Sequence, residues 1–295
     1  MALCLTGQAV ASVVDLPRTD GSFSIDGVLD EAAWNGALRV DLDVETDPGE
    51  NIEAVVATRA FLIEDGANLY VAFEADDPEP RAIRAYLRDR DTAWSDDYVG
   101  ILLDTYNDER RAFEFYANAL GVQMDKIHDD TSGGHGYGDA SWDSIWDSAG
   151  QITDSGYVVE MRIPLSQLRF PSRAGRKIWG YDLVRAYPRD RSYRLSSNPQ
   201  DRNRNCYLCQ VAKLHGLEGS QPSRDIEVVP TLTASQQDTT DEPGVLPMQS
   251  GETEIDGGLT VRWGVTPDLT ANLAINPDFS QIESDVLQLD VNNRF

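Results

Sequence analysis

Short runs that alternate apolar and polar residues, each bounded by Gly, Asp, Asn or Pro, recur along most of the chain and decide its fold class. Successive side chains of a strand point to opposite faces, so a period of two fits a half-buried strand and no face of a helix. ATRAFLIEDGANLYVAFEADD reads as a hairpin, with Phe61 and Ile63 on one strand, Leu69, Val71 and Phe73 on the next, and Glu64-Asp65-Gly66 in the connection. The pattern returns in YVGILLD, RAFEFYANALG, VQMDKI, SIWDSAGQIT, GYVVEMRIPL and IWGYDLVRAY. Such spacing predicts a mostly β chain whose main unit is a two-layer antiparallel β-sandwich ending near residue 218. SFSIDGVLDEAAWNGA predicts a short strand, a turn at Asp26-Gly27 and one helical turn with Leu29 and Trp34 inward. IPLSQLRFP predicts a single turn capped by Ser166 and stopped by Pro171.

After the Gly/Ser/Pro-rich HGLEGSQPS the character changes. RDIEVVPTLTAS reads as a strand, QQDTTDEPG as an acidic loop, and GGLTVRWGVTPDLTANLAINPD as a hairpin turning at Thr266-Pro267-Asp268. Leu259, Val261, Trp263 and Val265, then Leu269, Ala271, Leu273 and Ile275, alternate with small or polar residues, as on a sandwich edge or a lipid-facing barrel hairpin. A closed barrel needs at least about eight strands, so these residues supply only its beginning. No run approaches the roughly 20 apolar residues of a membrane helix.

Fifty acidic against 25 basic residues give a formal charge of -25, which repels phosphate backbones and makes nucleic acid a poor partner. MALCLTGQAVAS reads as the tail of a secretory signal over residues 1–11, ending in the small-residue pattern Ala9-Val10-Ala11. Its loss would remove Cys4 and leave Cys206 and Cys209, in NCYLCQ, as the cysteines of an exported chain. A CxxC serves as a redox dithiol, half of a zinc site or a local disulfide. With His215 the only nearby imidazole and no helix start after Cys206, a loop-pinning disulfide fits an oxidising compartment best.

SIDGVLDEAAW, NLYVAFEADDPEP, SDDYVGILLD, FYANALGVQMD, GYVVEMRIPLSQLRF and NPDFSQIESD together resemble a bacterial cell-envelope family. In that family a domain similar to family 9 carbohydrate-binding modules precedes a region of unknown function that looks like an outer-membrane β-barrel. The resemblance covers about residues 22–218 for the sandwich and 219–295 for the start of the barrel. It implies export to the periplasm or outer membrane of a Gram-negative cell and non-catalytic recognition of a saccharide. The alternative it leaves open is a structural periplasmic or plug domain that binds no sugar.

A sandwich that holds sugar needs an exposed aromatic face for the pyranose C–H side and amides, carboxylates or Arg for the hydroxyls. The loop HGYGDASWDSIWD offers Trp142 and Tyr137, flanked by Asp139 and Asp143; a large aromatic there is either a platform or a plug returned to the core. Trp94 is a further border residue, whereas Trp34, Trp146, Trp179 and Trp263 read as packing. Calcium would need converging oxygens, for which Asp129, Asp130, Asp76 and Asp77 are candidates without an EF-hand pattern. The adjacent Asp96 and Asp97 face opposite sides of a strand, which disfavours a glycosidase acid pair; they read as the polar lead-in to the strand. Met124, Lys126 and His128 share a face by even spacing, as haem ligands could, although a charged Lys with acidic neighbours makes a poor haem pocket.

Overall fold

A computed structural model describes residues 13–132, 138–140, 142–171, 175–220, 226–239, 249–266 and 269–276. The strands are β1 (Val13–Asp15), β2 (Leu38–Asp41), β3 (Val44–Asp47), β4 (Ile52–Glu53), β5 (Thr58–Glu64), β6 (Asn68–Asp76), β7 (Tyr98–Asp104), β8 (Arg111–Asn118) and β9 (Gln123–Asp129). They continue as β10 (Gly138–Asp139), β11 (Asp147–Thr153), β12 (Gly156–Pro164), β13 (Lys177–Pro188), β14 (Ser192–Ser196), β15 (Ala212–Gly216), β16 (Ile226–Thr239), β17 (Gln249–Thr266) and β18 (Leu269–Ile275).

Residues up to Ser223 form one compact unit. Its larger sheet runs β10-β9-β8-β7-β13-β14-β3-β4, with β15 and β1 added through β13, and its smaller sheet runs β11-β12-β6-β5-β2. Apart from β1 against β15, the pairings are antiparallel. The core lies between the sheets: Val99, Ile101, Leu103, Phe115 and Leu183 meet Leu62, Val71, Phe73, Val159 and Met161, all buried. Trp146 and Trp179 join this core, as their alternation predicts.

Two local expectations change. SFSI forms no strand, because the backbone of this segment bonds to carboxylates instead of a neighbouring ladder: Ser24 N donates to Glu31 Oε1 (2.8 Å) and Gly27 N to Glu160 Oε2 (2.8 Å). Trp34 follows on a single 3₁₀ turn, Ala32–Gly36, with its indole N–H on Glu160 Oε1 (3.2 Å) and its ring against Phe23. In IPLSQLRFP the 3₁₀ turn is Leu165–Gln167 with Pro164 at its N-cap and no side-chain cap, so Ser166 lies inside the turn.

The residues from Arg224 onward cluster as a second unit, in which the described residues form an antiparallel sheet β16-β17-β18. Pairing extends through Thr239 against Gln249, so the start of the acidic tract belongs to a strand. Val228, Leu232, Ile255, Trp263, Leu273 and Ile275 share one face by register and are exposed, Trp263 included. No helix among the described residues is long and apolar enough to cross a membrane, which says nothing of a β-barrel.

Candidate functional site

The outer face of the larger sheet is not left to water. Register places Gly100 of β7 between Tyr116 of β8 and Val184 of β13, and Leu102 between Glu114 and Asp182. Met124 and Lys126 of β9 extend these two rows. Two loops cross this face: Ala93 packs on Tyr116, Met124 and Val184, and Leu208 and Val211 pack on Leu102 and Ala112. A cavity of about 330 Å³ remains in this face, at the lower end of small-ligand sites. Trp94 from the first loop and Gln200 and Tyr207 from the second line it, together with sheet residues.

Its aromatic wall is Trp94, Tyr98 and Tyr116, in edge-to-face contact with centroids 5.5–5.9 Å apart. Gly100 is what lets Tyr116 lie flat across the sheet: a Cβ there would stand 2.0 Å from Tyr116 Cδ1 and 2.5 Å from the Phe115 carbonyl. Gly100→Ala is therefore expected to lower stability by about 1–3 kcal/mol and displace the Tyr116 ring. Urea unfolding with near-UV dichroism checks this, and an unchanged midpoint with unchanged aromatic bands would refute the steric account.

The polar wall is a charge-compensated network. Glu114 accepts from Lys126 Nζ (3.2 Å) and Tyr116 Oη (3.0 Å), and its other oxygen lies 3.1 Å from His128 Nδ1. His128 Nε2 lies 2.9 Å from Asp130, whose second oxygen accepts from Leu208 N (2.8 Å). Burial pushes the Glu114 carboxyl up, but His128 and Lys126 outweigh it and hold the group below its ordinary range. Burial likewise lowers His128, and Glu114 with Asp130 more than reverse that, so the imidazole is raised. Arg194 Nη2 donates to Tyr207 Oη (2.7 Å), and Tyr207 in turn bonds the fully buried Asp182.

The residues expected from sequence distribute unevenly around this cavity. Trp94, 38% exposed, lines it, with Lys126 Nζ 5.4 Å from its ring centroid. Trp142 is half-buried on the other side of the sheet, its ring 5.0 Å from Phe113 and 5.7 Å from Phe115, against the inter-sheet core. Asp143 faces Arg90 (3.4 Å), Asp139 is exposed on β10, and Tyr137 lies outside the described residues. Met124 is buried beneath Tyr116, and Lys126 and His128 are engaged by Glu114, so the three residues considered for haem serve the packing and the network.

The four aspartates considered for calcium do not converge. Asp129 and Asp130 lie at the end of β9 in the larger sheet, facing Arg111 and His128, whereas Asp76 and Asp77 lie at the end of β6 in the smaller, facing Arg59 and Arg189. Each of them already faces a basic side chain. A different trio, Asp91, Asp125 and Asp143, brings its oxygens within 4.8 Å of one another, but Arg90 reaches all three. Burial, then the neighbouring Asp125 and Asp143, pushes Asp91 up to about 6. A carboxyl raised on folding adds stability that is complete below its unfolded pKa, near 4, and is lost as pH rises through about 6. Asp91→Asn, which keeps the oxygen that accepts from Asp125 N (2.8 Å), is therefore expected to stabilise the fold at pH 8 by on the order of 1 kcal/mol and far less at pH 4.5. Urea midpoints at the two pH values test it; equal shifts at both would sink the assignment.

Sequence reasoning missed Glu114, Tyr116, Arg194 and Tyr207 as a group. The period of two in YVGILLD and FEFY is a signal that could have placed Tyr98, Glu114 and Tyr116 off the core face, but only the sheet pairing and the second loop bring Arg194 and Tyr207 beside them. Cys206 and Cys209 are joined in a disulfide that brackets Tyr207.

No curated protein matches the chain. Among solved structures, a putative carbohydrate-binding protein from Bacteroides uniformis superposes with a TM-score of 0.55 at 14% identity, covering 70% of this chain and 99% of that one. A family 9 carbohydrate binding module from Caldicellulosiruptor kristjanssonii in complex with glucose gives 0.50 at 18% identity, covering 69% and 94%. At these identities the likeness is one of fold. The family model described as carbohydrate family 9 binding domain-like matches residues 25–195, more than half of the chain, a range that includes β2 through β13. The chain therefore belongs to the carbohydrate family 9 binding domain-like family.

Proposed function

We propose that the sandwich binds a saccharide, without catalysis, in the cavity of the larger sheet's outer face. The observation that carries the reading is the pairing of an aromatic wall, Trp94, Tyr98 and Tyr116, with a wall of fixed donors and acceptors, Lys126, Arg194 and Gln200 above Glu114. Aromatic faces take the apolar side of a pyranose, and charged or amide groups already held in place take its hydroxyls at little ordering cost. Glu114 stays ionised and bound to Lys126 and His128, which makes it an acceptor and not a proton donor at neutral pH. The family match and the fold of the glucose-bound module support the same reading.

The test is titration of the full chain with mono- and oligosaccharides, glucose and cellotriose among them, followed by tryptophan fluorescence and calorimetry. Saturable change with at least one saccharide is expected. Silence across the panel would leave the alternative, a sandwich that serves only as a structural or plug domain.

For residues 219–295 the reading is the beginning of an outer-membrane β-barrel, in a chain exported to the periplasm or outer membrane. Its support is the exposed apolar face shared by Val228, Leu232, Ile255, Trp263, Leu273 and Ile275 and the length of β16 and β17, 14 and 18 residues, against the roughly 10 that span a bilayer. Fractionation of cells expressing the full-length gene tests this; recovery in the cytosol would dismiss it.

A further inference from the structure

We propose that the Cys206–Cys209 disulfide is a positioning element of the cavity, locking Tyr207 into its wall so that saccharide affinity depends on the bridge being oxidised. The inference rests on the saccharide reading of this cavity. The bridge joins residues three apart, and a disulfide's contribution to global stability shrinks with the loop it closes, so its effect here is local. What lies inside that small ring is the wall itself. Tyr207 bonds Arg194 and Asp182, while Leu208 is fully buried and its N–H meets Asp130, which is tied to His128. Gln210 Nε2 closes the turn on the Cys206 carbonyl (2.7 Å).

The other contacts of the site do not need the bridge. Asp182 is held from β14 and the residues after it by Ser196 Oγ (2.7 Å), Ser197 Oγ (3.0 Å) and Asn198 Nδ2 (2.8 Å). Opening the ring therefore frees Tyr207, and with it one partner of Arg194, while the sheet beneath stays fixed. Both cysteines are partly exposed, within reach of a small dithiol. A dithiol such as dithiothreitol gives two electrons and two protons, becoming a cyclic disulfide as the S–S bond breaks and Cys206 and Cys209 become thiols.

The experiment compares the full chain oxidised, reduced with dithiothreitol, and as Cys206→Ser/Cys209→Ser, by calorimetric titration with the saccharide panel and by amide hydrogen exchange. Expected are a loss of affinity of about tenfold on reduction, the scale of one side chain that must be ordered on binding, and lost protection confined to residues 206–211. Tyr207→Ala, with the bridge intact, is expected to lose as much, and Tyr207→Phe to recover part of it by restoring the ring; this pair covers the case in which reduction unfolds the sandwich. Equal affinity in oxidised and reduced chains, or in Tyr207→Ala and the parent, would overturn the proposal and leave the saccharide reading standing. If no saccharide binds the oxidised chain, that reading falls instead; the lock is then judged by exchange, where unchanged protection at 206–211 overturns it and local loss supports it.

Discussion

Replacing Asp97 with alanine is expected to destabilise the sandwich by about 3 kcal/mol, the scale of breaking a buried ion pair. The Asp97 side chain has no solvent exposure, and its Oδ2 accepts from Arg84 N (2.8 Å) and Arg189 Nη1 (2.9 Å). Burial pushes the carboxyl up and the Arg189 contact pulls it back, leaving it raised, so the intact pair adds little net stability. Its half-removal is another matter. Arg84 N loses its acceptor, and Arg189, only 15% exposed, keeps the Pro188 carbonyl (2.8 Å) and a single carboxylate, Asp77, which the fully buried Arg185 also faces. Losses on breaking a buried pair run to roughly 3–5 kcal/mol, and the remaining Asp77 puts this one at the lower end. Asp97→Asn, which still offers an oxygen to Arg84 N, is expected to cost about half as much. Urea unfolding at pH 7 measures both as a lower midpoint at constant slope. A loss below about 1 kcal/mol for Asp97→Ala would show that water or Asp77 fully replaces the pair.

Asp97 also marks where sequence reading stops. The alternation of YVGILLD sorts its faces correctly, with Val99, Ile101 and Leu103 in the inter-sheet core and Tyr98, Gly100 and Leu102 on the other side. The acids before it, however, read as a wet strand boundary, and both are buried, Asp96 at 1% and Asp97 at 0% exposure. Their partners Arg84, Arg88 and Arg189 come from a loop and a distant strand end, and nothing in local composition signals that encounter. The same holds for the cavity. Lys126 faces Glu114 only because β8 and β9 pair in that register, and Tyr207 enters only because the second loop folds back over β7. A period of two tells which face a side chain takes, whereas what covers that face is decided by long-range contacts.

Trp94→Ala is expected to weaken saccharide binding by about 30- to 100-fold, some 2–3 kcal/mol, while Trp142→Ala leaves affinity unchanged and lowers stability by about 2 kcal/mol. Strand β8 separates the two tryptophans. Its Phe113 and Phe115 point between the sheets, where Trp142 packs on them, and its Glu114 and Tyr116 point outward, where Trp94 meets Tyr116 at 5.5 Å. Truncating Trp94 removes a partly exposed platform and one face from Lys126, which keeps Glu114, so the fold loses little and the ligand loses its stacking surface. Truncating Trp142 strips a half-buried ring from the core edge, the cost of a partial cavity, on the face of the sheet opposite the proposed site. Titration and urea unfolding of the two variants side by side decide between the loop and the cavity. If Trp142→Ala abolished binding and Trp94→Ala did not, the saccharide would belong to the loop around residue 142, and the network of Glu114, His128 and Arg194 would be architecture alone.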